Sequence, residues 1–101
     1  MDYKTIANDG IVEEEIKKSR FICHWTILFS EEEGREYIAQ IKKEHHKANH
    51  SCSAMIVGDD GQIKRSSDDG EPSGTAGVPM LTVLEKQGLT NVVAVVTRYF
   101  G

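Results

Sequence analysis

Residues 3–7 read as β structure and run into Asn8-Asp9-Gly10, whose side chains suit the positive φ angles of a tight turn. A hairpin is therefore expected, with residues 11–17 as the partner strand. Residues 19–29 carry Phe21, Ile22, Trp25, Ile27, Leu28 and Phe29, a β-branched and aromatic run that fits a third, half-buried strand. At Ser30-Glu31-Glu32-Glu33 the pattern changes to a capping box, with the serine hydroxyl placed for the amide three residues on. Tyr37, Ile38 and Ile41 then recur at helical spacing, and Lys42, Lys43, His45, His46 and Lys47 collect where the helix macrodipole favours positive charge. Residues 51–58 are strand-like, and Asp59-Asp60-Gly61 turns them into a polar strand over 62–67, a second hairpin. Pro79 suits a first helical turn, Met80, Leu81 and Leu84 give an inward face, and Gly88 stands where a left-handed C-terminal cap belongs. Val92 to Val96 is apolar without alternation, which predicts a strand covered on both faces at the centre of a sheet.

With 101 residues the chain is expected to form one domain, 1–101, with a single core and no need of staples. Twelve Lys and Arg against sixteen Asp and Glu give a net charge of −4, so the whole-molecule field does not draw in nucleic acid or an anionic membrane, and any such contact must be local. No apolar run approaches the ~20 residues that span a bilayer, and the first residues lack a signal-peptide layout, so a cytoplasmic protein with no membrane partner is expected. Two cysteines, Cys23 and Cys52, are too few for a disulfide framework and are read as reduced. The chain stops directly after a strand that reads as central, at Arg98-Tyr99-Phe100-Gly101, which suggests a truncated domain.

Three groups of residues are candidates for chemistry. The first is the loop 67–79, with Asp68, Asp69, Gly70, Glu71, Ser73, Gly74, Thr75 and Gly77. Small residues before a helix let the backbone approach a ligand, and free amides of a first helical turn bind anions. Phosphate is the obvious anion, yet no lysine stands at the helix start as in a Walker A loop, and the three acids would repel a bare phosphate. Either Mg²⁺ bridges acids and phosphate, or the acids receive local backbone amides. The second group, His45, His46, His50 and Cys52, holds zinc-capable atoms, but its spacing matches no strong motif and no metal is assigned to it. The third is the basic set Lys17, Lys18, Arg20, Lys64, Arg65 and Arg98, with Trp25, Tyr99 and Phe100 as stacking groups. Brought onto one sheet face, these would follow a nucleic-acid backbone; the alternative is a set of solvated strand faces.

The segment Asp68-Asp69-Gly70-Glu71-Pro72-Ser73-Gly74-Thr75-Ala76-Gly77-Val78-Pro79-Met80 resembles the signature of the YigZ/IMPACT family. The resemblance extends to Lys18-Ser19-Arg20-Phe21-Ile22, to His50-Ser51-Cys52-Ser53-Ala54, and to Val95-Val96-Thr97-Arg98-Tyr99-Phe100-Gly101. It implies an α+β, two-layer fold of the ribosomal protein S-five domain-two-like kind, with five to six strands and two helices on one face. It also implies a role near translation, and a continuation after Gly101 through a Gly-rich segment, a further helix and, in bacterial members, a small ferredoxin-like domain. Carried onto this chain, the signature places Arg20, His50, Arg98 and Tyr99 beside the acidic loop. No nucleophile and base stand out within that set, so no catalytic residue is assigned. The expected function is a translation-associated regulator that binds RNA or a ribosome-associated protein, with no cofactor. The alternative is a phosphate- or nucleotide-binding enzyme that uses loop 70–78 with Mg²⁺. Loss of the next helix would leave apolar sheet uncovered, so self-association is expected as well.

Overall fold

The computed structural model describes residues 4–6 and 8–100. In chain order the elements are β1 (Gly10–Ile16), β2 (Ser19–Ile27), α1 (Glu31–Glu44), β3 (His50–Val57), β4 (Ile63–Ser67), α2 (Gly77–Lys86) and β5 (Val92–Tyr99). The five strands form one antiparallel sheet in the order β1-β2-β5-β3-β4. The α+β class is as the sequence implied.

The apolar run from Val92 does become the central strand, between β2 and β3, and Val92, Val93 and Val95 are fully buried. The α1 start follows the capping box in part. The Ser30 hydroxyl accepts the Glu33 amide at 3.1 Å, while the Glu33 carboxylate accepts the amide of Phe29 rather than that of Ser30. The Asp59-Asp60-Gly61 hairpin forms between β3 and β4, and Gly88 takes the left-handed φ of 68° after α2.

The first hairpin is different from the one expected. Its turn is Lys17-Lys18, with φ of 50° and 69°, and it joins β1 to β2. A two-residue turn with both φ values positive carries the right-handed twist of the flanking strands, and here two lysines accept the strain that Asn-Gly would avoid. Asn8 and Asp9 instead serve β2: the Asn8 carbonyl accepts Trp25 Nε1–H at 3.0 Å, and the Asp9 carboxylate accepts the Thr26 hydroxyl at 2.7 Å. Of the strand expected over 3–7, Tyr3 and Ala7 lie outside the described residues, and Lys4 makes an isolated parallel bridge to Leu89.

The helices do not share a face, contrary to the sequence expectation. Residues paired across strands point to the same side of a sheet, so two faces can be followed through the register. Met55, Val57, Val93 and Val95 face α1 and pack with Leu28, Tyr37, Ile38 and Ile41. Cys52, Ala54, Ile56 and Val96 face the other way, towards Met80 and the α2 end at Glu85 and Leu89. Helical periodicity marks which side of a helix is apolar, but it carries no information on which side of the sheet receives it. α2 closes tightly on β4. A Cβ on Gly77 would stand 2.7 Å from the Ser67 backbone, so the approach admits glycine alone.

On the α2 side, among the described residues, only the β3–β4 half of the sheet has a helix over it. Towards the β1 edge the same face presents Phe21, Cys23, Trp25, Ala94 and Val96, half-buried, with Val12 and Ile16 about half exposed.

Candidate functional site

β3 outruns β4. The β3–β4 pairing begins at Ser53, which leaves His50, Ser51 and Cys52 without a strand on that side. Loop 68–76 fills the gap with its own carboxylates and carbonyls. The Asp69 carboxylate accepts the Ser51 amide at 2.6 Å and forms a 2.8 Å ion pair with Lys42 of α1. The Asp69 carbonyl receives His50 Nδ1–H at 2.8 Å, and the Cys52 thiol donates to the Asp68 carbonyl and to Glu71 at 3.2 Å. The loop reaches this edge through a tight turn in which Asp69 (φ 47°) and Gly70 (φ 88°) are both left-handed and the Glu71 amide returns to the Asp68 carbonyl at 3.0 Å. An aspartate tolerates that conformation because its short polar side chain bonds locally.

Asp68 settles what the free amides at the start of α2 do. Its carboxylate accepts the amides of Gly74 at 2.9 Å, Ala76 at 3.1 Å and Gly77 at 2.7 Å. The bonds from Gly74 and Gly77, with that from Ala76, outweigh burial and hold its carboxyl below the usual aspartate value. The anion cradle expected over 70–78 is therefore filled by the chain's own side chain. Asp69 is also held below its ordinary value: burial raises it, but the Lys42 ammonium and the Ser51 amide outweigh burial. Ser73 and Thr75 are exposed, and the Thr75 hydroxyl donates to the Pro72 carbonyl.

Glu71 closes the network across the sheet. Its second oxygen accepts Arg98 Nη1–H at 2.6 Å. The Arg98 guanidinium lies between two aromatic rings, 5.2 Å from the Phe21 centroid and 4.6 Å from that of Phe100, and its buried Nε has no hydrogen-bond partner. Beside it Phe21, Cys52, Glu71, Thr75, Met80 and Arg98 line a pocket of about 420 Å³. Burial, with the Glu71 carboxylate next to it, pushes the Cys52 thiol up to about 12, so at neutral pH it is a donor and not a nucleophile.

The other groups named from sequence are dispersed. Arg20 pairs with Tyr99 across β2 and β5, and Arg98 pairs with Phe21, so the two arginines project from opposite faces of the sheet. Arg20 lies over the Tyr99 ring and bonds Glu13 at 2.6 Å; Lys64 meets Glu85 at 2.7 Å and Arg65 meets Glu31 at 3.0 Å. Strand parity splits the basic set expected on one face, acids pair with Arg20, Lys64, Arg65 and Arg98, and Lys17 and Lys18 stand apart in the β1–β2 turn. His50 and Cys52 join the acidic loop, His46 turns to the Lys43 carbonyl, and His45 bonds the Tyr99 hydroxyl at 2.6 Å on the α1 side. Sequence reading passed over Phe21 and Met80 as site residues. The Phe21 position within the Lys18–Ile22 segment was the available signal.

An α+β domain with an antiparallel sheet whose glycine- and acid-rich loop is bonded to the ends of β3 and β5 defines a class of domain. The Impact N-terminal domain profile matches residues 17–101, and the chain belongs to that family. It is 54% identical over 99 residues to the IMPACT family member YvyE of Bacillus subtilis, covering 98% of this chain and 46% of that protein. It is 46% identical over 92 residues to YigZ of Escherichia coli, covering 89% and 45%. One solved structure, described as a hypothetical protein, superposes with a TM-score of 0.90 at 43% identity over 96% of this chain and 48% of its own. Another, the two-domain translational regulator Yih1, superposes with a TM-score of 0.68 at 28% identity over 100% and 42%. The chain thus spans about half the length of the relatives it matches. Among the described residues no helix is long and apolar enough to cross a membrane.

Proposed function

We propose that this domain is a non-catalytic binding module of a translation-associated regulator, and that it takes a protein partner at the end of the sheet around Arg98. The observation that carries the reading is the internal saturation of the signature loop. Asp68, Asp69 and Glu71 each spend their charge on backbone amides, Lys42 or Arg98, and Cys52 is held as a thiol. A loop built this way presents a fixed shape and leaves no activated group for catalysis. The likeness to the translational regulator Yih1 supports the cellular setting, and a cytoplasmic location and the absence of a cofactor belong to the same reading.

Protein is favoured over RNA for two reasons. Of the six residues in the basic set, Arg20, Lys64, Arg65 and Arg98 are in ion pairs, so a phosphate backbone would have to displace four acids to gain those four contacts. Lys17 and Lys18 stand together in one turn away from Arg98. The exposed Phe100, the Phe21 ring and the arginine between them are the residue types that anchor protein interfaces, beside a pocket of the size a partner's side chain fills. The test is sedimentation with ribosomal particles after nuclease treatment, alongside titration with labelled RNA. Co-sedimentation that survives nuclease and is lost in Phe100→Ala is expected. Salt-steep RNA binding, or a protein that never leaves the top of the gradient, would overturn the reading.

The open apolar half of the sheet supports a second property, pairing of this chain with itself. Val12, Ile16, Phe21 and Trp25 are adjacent on one face with no helix over them, and patches of that kind tend to be buried by association.

A further inference from the structure

On the α1 face of the sheet, one turn beyond the Lys42 contact with Asp69, the end of α1 comes down on β2. One ring nitrogen of His24, one of His45 and a carboxylate oxygen of Glu44 all lie within 4.8 Å of one another. His24 stands in β2, opposite Val95 of β5 and Ile11 of β1. Glu44 is the last residue of α1, and His45 is its cap, with φ −109° and ψ 43°. Consecutive residues of a helix point about 100° apart and cannot both reach one point. The helix ends at His45, and its departure from helical backbone lets the two side chains converge.

Two further features separate this cluster from ordinary packing. His45 Nδ1 is engaged by the Tyr99 hydroxyl at 2.6 Å, an outer partner of the kind that fixes the orientation of a ligating imidazole and leaves its other nitrogen free. The His24 Nδ1 is buried and has no hydrogen-bond partner, although the ring lies 5.4 Å from that of His45. A polar ring placed against another and held by no bond of its own is costly without a ligand.

We propose that His24, Glu44 and His45 form a zinc site that pins the end of α1 to β2. Two imidazoles and one carboxylate are a borderline donor set that selects zinc over magnesium or calcium, which take oxygen. Tetrahedral zinc with bonds near 2.0–2.1 Å needs its donors about 3.3 Å apart, so the cluster closes by rotation of its side chains, of which the exposed Glu44 is the freest. Three protein ligands leave the fourth position for water. The α1 helix packs mainly on β3 and β5, and the metal would add a tie to β2 that the apolar core does not supply.

The test is calorimetric titration of the untagged chain with zinc, repeated with cobalt to read the visible bands of a four-coordinate site, together with thermal melts. One equivalent binding at micromolar concentration or tighter, with a raised Tm, is expected. His24→Ala should weaken binding more than about 100-fold, and Glu44→Gln, an exposed change that cannot unfold the protein, about tenfold or more. His46→Ala should bind as the parent does. No binding at tens of micromolar zinc, affinity unchanged in both His24→Ala and Glu44→Gln, an octahedral cobalt spectrum, or loss in His46→Ala would each overturn the assignment.

Discussion

The two halves of the sheet face that carries α2 are finished in opposite ways. Over β3 and β4 the loop and α2 cover the sheet: Asp68 caps the helix, Asp69 caps the β3 edge, and Gly77 brings the helix start against the Ser67 backbone. Over β1 and β2 the same face shows half-buried Phe21 and Trp25 and an exposed Val12, with no helix above them. Hydrogen bonds and ion pairs fix the loop of the first half to the sheet. Unmatched apolar area makes the second half the place where further chain or a partner gains most by docking.

The largest effect that would sharpen this contrast comes from truncating one apolar side chain in each half. Ile56→Ala, under α2, should cost about 2–5 kcal/mol in urea unfolding, whereas Val12→Ala should fall within about 0.5 kcal/mol of the parent. Equal losses would show that the open half is packed after all. Gly77→Ala should also destabilise, although alanine is the better helix former, because its Cβ meets backbone that cannot move aside.

Acid should undo the saturated half next. Asp68 and Asp69 titrate below their unfolded values, so their contribution is complete above about pH 4 and is lost as the pH falls through the lowered folded values. Melts from pH 6 down to 2 should show that loss, and Asp68→Asn should flatten the profile. A profile identical in parent and variant would mean that the amides do not rely on the charge.

Smaller again is the effect on association. Light scattering should find the chain pairing as concentration rises, and Val12→Asp with Ile16→Asp should return it to monomer. A parent that stays monomeric at high concentration would remove the open half as a docking surface. The least effect belongs to the exposed Lys64 and Glu85 pair: Lys64→Met should change stability by about 0–1 kcal/mol, and a greater loss would show that this surface ion pair holds α2 to β4.

Several elements were legible before any coordinates. The unbroken run at Val92 predicted the central strand, Ser30 predicted the start of α1, and Asp59-Asp60-Gly61 predicted a hairpin, because each depends on neighbours within a few residues. The Lys17-Lys18 turn was not legible, since its residues lack the conformational freedom that usually marks such a turn, and the pairing of β1 with β2 imposes it. The acid-rich loop was legible as a site but not in its use. Asp68 as helix cap and Asp68 as magnesium ligand require the same letters.

Sequence by itself determined the order and type of nearly every element, the family, and the loop where polar groups and glycines concentrate. Local hydrogen bonding and side-chain periodicity act over short spans and leave their mark in the sequence. Tertiary structure alone decided that α1 and α2 take opposite faces, that Arg20 and Arg98 are parted by strand parity, that Asp68 fills the anion site, and that His24 meets Glu44 and His45. Each depends on register and on which face a helix covers, and a shift of one residue in a strand reverses both.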